Sequence, residues 1–112
     1  MEKAIAYLFG NKIVGTVKLT DVGDCIYYEI DIKNIYSSEL VLALEGNVSL
    51  IDFSYLPILQ GKRIRLCFYS DSFLLCDLLD KKLLLKDEKN NLVAKGNIIK
   101  VYPGKRFYSE AK

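Results

Sequence analysis

Residues 25–34 read CIYYEIDIKN, and their alternation decides the fold class. Ile26, Tyr28, Ile30 and Ile32 fall on one side, and Tyr27, Glu29, Asp31 and Lys33 on the other. A period of two with one apolar and one polar face is a strand packed on a core by one side only. The same rhythm returns at residues 62–69, KRIRLCFY, where Ile64, Leu66 and Phe68 oppose Arg63, Arg65 and Tyr69. In KIVGTVKLT, Ile13, Val17 and Leu19 share a face, and Gly15 leaves a gap that suits a bend or a close backbone approach.

Turn signals separate these runs. Gly10-Asn11 predicts a tight hairpin between strands 3–9 and 12–20. DVGD, EGN and DEKNN mark three further turns, with Asp21 and Asp24 placed to bond their own backbone. ELVLAL and NVSLIDF read as the fourth and fifth strands, the fifth bulged where Leu50 and Ile51 adjoin. YLPILQG reads as a loop, because Pro57 removes a ladder donor. The last strand, LVAKGNIIKVY, is expected to bulge near Gly96, where the apolar face changes at Ile98–Ile99. One segment departs from this rhythm. In SDSFLLCDLLD, Leu74, Leu75, Leu78 and Leu79 have helical spacing, and Asp71 or Ser72 could cap the first turn.

About seven or eight short strands at regular spacing predict an all-β fold, a small antiparallel β-barrel of Greek-key type with one short helical turn near residues 72–79. The length of 112 residues suits one domain. We divide it into a barrel over residues 1–102 and a short basic, aromatic tail over 103–112. Apolar residues at 51% and charged residues at 27% are a globular balance.

Composition narrows the chemistry. The chain has no histidine, which removes Ser-His-Asp and Cys-His nucleophile systems and the commonest transition-metal ligand. Cys25, Cys67 and Cys76 form no CxxC pair, and a zinc site would need a fourth ligand. Cys67 and Cys76 are expected to fill the core as small apolar residues. Carboxylates are scattered through turns, and no glycine-rich phosphate loop occurs. The expectation is a protein that is not an enzyme and uses no cofactor or metal. No stretch approaches the roughly 20 apolar residues of a membrane span, and no signal sequence is evident. We therefore expect a soluble, cytoplasmic protein with reduced thiols and no membrane partner, in which the NVS triplet at Asn47 is a chance sequon.

The net charge of +2 hides an asymmetry: from Asn90 onward five basic residues stand against Glu110 alone. Lys100, Tyr102, Lys105, Arg106, Phe107 and Tyr108 interleave cations with rings, the pairing that holds single-stranded nucleic acid by phosphate contact and base stacking. Arg63 and Arg65 could extend that patch. The structural alternative is that Phe107 and Tyr108 tuck onto the barrel end after a Pro103-Gly104 turn.

Within residues 61–102, Gly61, Ile64 and Leu66 are followed by Leu83, Leu85, Lys86 and Asp87, and then by Val93, Ala94, Gly96, Ile98, Ile99 and Lys100. This segment resembles the end of the C-terminal β-barrel domain of elongation factor Tu-type translational GTPases. Leu83 stands where that family prefers phenylalanine and Lys86 where it prefers arginine, and the family's loop proline is missing. The GTPase domain has no counterpart here. The resemblance implies a barrel with a binding role, since the family's barrel contacts transfer RNA and protein partners.

The primary expectation is thus a non-catalytic interaction module for a protein partner. A barrel binding RNA or other single-stranded nucleic acid is the alternative, and a small-ligand barrel is the third reading.

Overall fold

The computed structural model describes residues 2–10, 12–35, 39–46, 48–53 and 63–102. The loop expected over 55–61, the tail over 103–112 and the sequon residue Asn47 lie outside them. Eight strands form: β1 (Lys3–Gly10), β2 (Ile13–Asp21), β3 (Ile26–Lys33), β4 (Val41–Leu44), β5 (Val48–Asp52), β6 (Ile64–Ser70), β7 (Lys82–Lys86) and β8 (Leu92–Val101). A single helical turn, α1 (Leu75–Leu78), lies between β6 and β7.

All strands join one antiparallel sheet in the order β5-β4-β7-β8-β1-β2-β3-β6, curled into a half-barrel. β3 and β6 are neighbours although β4 and β5 separate them in sequence, which is a Greek-key connection. The edges β5 and β6 are not joined by a ladder among the described residues, so the barrel is open.

Alternation builds the core. Ile26, Tyr28, Ile30 and Ile32 of β3 are all buried, as are Ile13, Val17 and Leu19 of β2. They pack with Leu8, Leu42, Phe53, Leu83, Leu85 and Ile98 in one apolar cluster. Leu75 and Leu78 add α1 to it, with Phe73 and Leu79 packed alongside. Leu74 points away and is exposed. The expected cap is also different: Leu74 occupies the N-cap position without a side-chain bond. The Ser72 N–H instead donates to Ser70 Oγ at 3.2 Å, so this side chain-to-backbone bond lies ahead of the helix. No helix among the described residues is long and apolar enough to cross a membrane.

The turns follow their chemistry. Gly10 pairs with Ile13, so the β1–β2 loop is centred one residue beyond the Gly10-Asn11 pair, with Lys12 at φ +70°. The Gly23 N–H donates to Asp21 Oδ1 at 2.9 Å, the self-bonding turn expected at DVGD. The bulge in β5 is where the paired apolar residues placed it: Leu42 faces Ile51 and Ala43 faces Ser49, leaving Leu50 as the extra residue. In β8 the extra residue is Val93, because Leu85 faces Ala94 and Lys86 faces Leu92. The bulge thus precedes Gly96 by three positions, and Val93 and Ala94 are both buried across it. The face does not change at Ile98–Ile99: Ile98 is buried and Ile99 exposed, in ordinary alternation.

Candidate functional site

The outward positions of β1, β2, β3, β6 and β8 line up in rows across the sheet, because antiparallel pairing sets residues directly opposite one another. One row runs Lys33, Val14, Phe9, Lys95. The next runs Arg65, Asp31, Thr16, Tyr7. A third contains Cys67, Glu29, Lys18, Ile5 and Ile99, and Tyr69, Tyr27, Thr20 and Lys3 follow in a fourth. Neighbouring strands are roughly 4.8 Å apart, so each row is a compact stripe.

Two properties stand out on this face. Its basic groups, Arg63 included, are six (Lys3, Lys18, Lys33, Arg63, Arg65, Lys95), against the two carboxylates Glu29 and Asp31. Toward its β1–β2 hairpin end sit apolar groups open to solvent: Tyr7 is 48% exposed, Phe9 62% and Val14 40%. Tyr7 and Phe9 are two residues apart on one strand, so their side chains leave the same side of the sheet roughly 7 Å apart. With Val14, Thr16, Asp31 and Lys33 they line a recess of about 210 Å³. A second recess, of about 280 Å³, adjoins it and shares Thr16 and Asp31, with Lys18, Glu29, Arg65 and Cys67 around it.

Asp31 is held in place. Arg63 donates from Nε to Asp31 Oδ1 and from Nη2 to Oδ2, both at 2.8 Å. Those bonds hold the carboxyl below the usual carboxylate range, and the charges of Arg63, Lys33 and Arg65 act in the same direction. The pair anchors the β6 edge strand to β3. Farther along, the Tyr27 and Tyr69 rings lie 4.7 Å apart. A hydrogen bond shared with the Cys67 thiol, then partial burial, pushes the Tyr27 phenol up to about 12.

Arg65 stands on the outward face of β6, and Arg63 immediately precedes that strand with its guanidinium on Asp31 of the same face. Lys100 belongs to the other side of β8, opposite the buried Ala4. Its ammonium lies 3.4 Å from Glu2 Oε2 and 5.2 Å from the centre of the Tyr102 ring. The structure therefore brings Lys100 and Tyr102 to each other, but not to Arg63 and Arg65, from which β1, β2 and β3 separate them. Lys105, Arg106, Phe107 and Tyr108 lie outside the described residues.

Tyr7, Phe9, Lys33 and Lys95 were not singled out by the sequence. The signal was present in KAIAYLFG, where Ala4, Ala6 and Leu8 alternate with Ile5, Tyr7 and Phe9. Both sets are apolar, so periodicity alone does not say which faces outward.

The cysteines correct an expectation. Cys67 projects from the outward face of β6 and Cys76 from α1, both exposed rather than in the core. Cys67 falls on the outward parity of its strand, and the four-residue helix turns only Leu75 and Leu78 inward. Cys25 is half-buried, and burial followed by the charges of Asp24, Asp71 and Asp21 pushes its thiol up. An activated thiolate requires the opposite shift. Among the described residues no group of three or more cysteine, aspartate or glutamate side chains is placed to hold a metal.

No protein-family model matches the chain, and no curated protein is significantly similar to it. The likeness of residues 61–102 to the elongation-factor barrel therefore rests on the residues quoted for it.

Proposed function

We propose that this protein is a non-catalytic barrel that binds single-stranded nucleic acid across the outward face of β1, β2, β3, β6 and β8. The observation that carries this reading is the placement of the exposed Tyr7 and Phe9 side chains on one face with six lysines and arginines, Phe9 lying in one row with Lys33 and Lys95. Cations along a strand of phosphates with aromatic rings under the bases are what sequence-tolerant single-strand binding needs, each stack contributing roughly 1–3 kcal/mol. A duplex hides its base faces and would leave these rings without a partner. The face differs from the one expected at the C-terminal end. It keeps Arg63 and Arg65 and adds residues from β1, β2, β3 and β8.

Fluorescence anisotropy with labelled single-stranded RNA and DNA tests this at low and moderate salt. Binding should weaken steeply with salt, with a log–log slope of about −0.7 for each phosphate neutralised. Replacing Tyr7 and Phe9 together by alanine should lower affinity at least tenfold, while Lys33→Gln with Arg65→Gln should flatten the salt slope. All four positions face outward, so circular dichroism should be unchanged. If no oligonucleotide binds at low salt, the reading is wrong.

A protein partner docked on the same surface is the second reading. It is favoured by the contiguity of exposed Phe9 and Val14, which face one another across β1 and β2. It calls for binding that depends on Phe9 and Val14 and responds weakly to salt.

A further inference from the structure

We infer that Asp31 reads the edge of a base held against Tyr7 and Phe9, and that the recess selects a base offering an amino donor. Cytosine over uracil is the diagnostic pair. The inference rests on the reading of this face as a single-strand site and concerns what that site prefers.

A carboxylate within a phosphate-binding face is electrostatically wrong for the sugar–phosphate backbone. It is compatible with such a ligand where it meets hydrogen-bond donors instead, and the donors of a nucleic acid lie on the base edges. Asp31 occupies that position. It lines both recesses, stands directly opposite Thr16 of β2, and Thr16 in turn stands opposite Tyr7. A base lying on the Tyr7 or Phe9 side chain would present its edge across Thr16 toward the carboxylate.

The pairing with Arg63 leaves room for this. A carboxylate has about four lone-pair positions, and the two bonds from Arg63 use one on each oxygen. The Asp31 side chain remains 35% exposed. Arg63 therefore acts as a positioning residue. It holds the carboxylate in one orientation, which reduces the ordering cost of a directional contact.

Cytosine carries an amino group where uracil carries a carbonyl. An aspartate accepts from the first and repels the second, which is the basis of carboxylate–cytosine pairing in direct readout. Thr16, with a hydroxyl that donates or accepts, does not discriminate between them. Of the two carboxylates on this face only Asp31 lines the recess that Tyr7 and Phe9 also line, so the specificity falls on Asp31 and not on Glu29.

The test is anisotropy titration of oligocytidine and oligouridine of equal length against the intact chain, Asp31→Asn and Arg63→Gln. The intact chain should prefer the cytidine oligomer by about five- to tenfold, the lower range for a directional contact at a partly exposed site. Asp31→Asn should abolish or reverse the preference, because its amide can donate to the uracil carbonyl. Arg63→Gln should weaken both oligomers and retain part of the preference. The ratio of two affinities within one variant is insensitive to a general loss of folded protein. Equal affinities in the intact chain, or a preference that survives Asp31→Asn, would overturn the assignment of Asp31 and leave the single-strand reading standing. Absence of binding to either oligomer would overturn both.

Discussion

Gly96 of β8 lies directly against the backbone carbonyl of Tyr7 in β1. A Cβ at position 96 would overlap that oxygen and come within 2.8 Å of the carbonyl carbon. Both atoms are backbone, so no rotamer change relieves the contact, and β8 would have to move away from β1. Gly96→Ala should cost about 3 kcal/mol, at the upper end of overpacking effects. For a domain of this size that lowers Tm by roughly 10 °C or more. Since Tyr7 belongs to the proposed binding face, affinity for single strands should fall in the same variant. A parental Tm would show that the strands are not packed this closely.

Tyr28 presents the opposite situation. Its ring stacks on Phe68 with centroids 4.8 Å apart, yet its buried hydroxyl has no hydrogen-bond partner among the described residues. Burial also pushes the phenol up to about 12. Tyr28→Phe keeps the stack and removes an unsatisfied group, which typically costs about 1–3 kcal/mol when buried. The variant should equal or exceed the parent in stability by thermal melting. A loss greater than about 1 kcal/mol would mean that the hydroxyl is bonded in solution.

Lys12, with φ +70°, holds a left-handed conformation that disfavours a side chain by roughly 1–2 kcal/mol. Its backbone carbonyl accepts from Asn34 Nδ2 at 2.9 Å, a bond that does not depend on the lysine side chain. Lys12→Gly should therefore stabilise the hairpin by about 0.5–1 kcal/mol after the added flexibility of the unfolded chain is deducted. The urea midpoint should rise at constant slope, and a fall would place the stabilising contacts in the lysine side chain.

Acid sensitivity should come from two carboxylates. Asp31 is held below the ordinary range first by its hydrogen bonds from Arg63, and Asp87 first by the backbone N–H of Asn91. A carboxylate with a depressed folded pKa contributes stability above its unfolded value, and that contribution is lost as pH falls through the folded one. Stability due to these groups should thus be level down to about pH 4.5 and decline below about pH 4. Arg63→Gln should make the decline shallower. An unchanged pH profile in that variant would remove the ion pair from the account.

Much of the fold was legible because side-chain alternation has a local cause. In β3 and β6 one face is apolar and the other mostly charged or hydroxylic, so only one orientation avoids burying Asp31, Glu29 or Arg65. The bulge at Leu50 was equally visible, since two adjacent inward-seeking residues cannot both be satisfied by a regular strand. The bulge in β8 was misplaced by three residues. It depends on how β8 meets β7, and Lys86 facing Leu92 is a property of the pairing rather than of either strand.

The candidate site was only half legible. Arg63 and Arg65 could be placed outward from their own strand. For β1 the two faces are both apolar, and the hydrophobic effect alone does not choose between Ala4, Ala6 and Leu8 on one side and Ile5, Tyr7 and Phe9 on the other. The tertiary packing makes the choice: it buries Ala4, Ala6 and Leu8 in the core and leaves Tyr7 and Phe9 exposed. The amino-acid sequence by itself determined that the chain would form short antiparallel strands with a β3 face turned to water. The tertiary structure decided that Arg65, Asp31, Thr16 and Tyr7 form one row, since residues drawn from four strands become neighbours only through strand order and register.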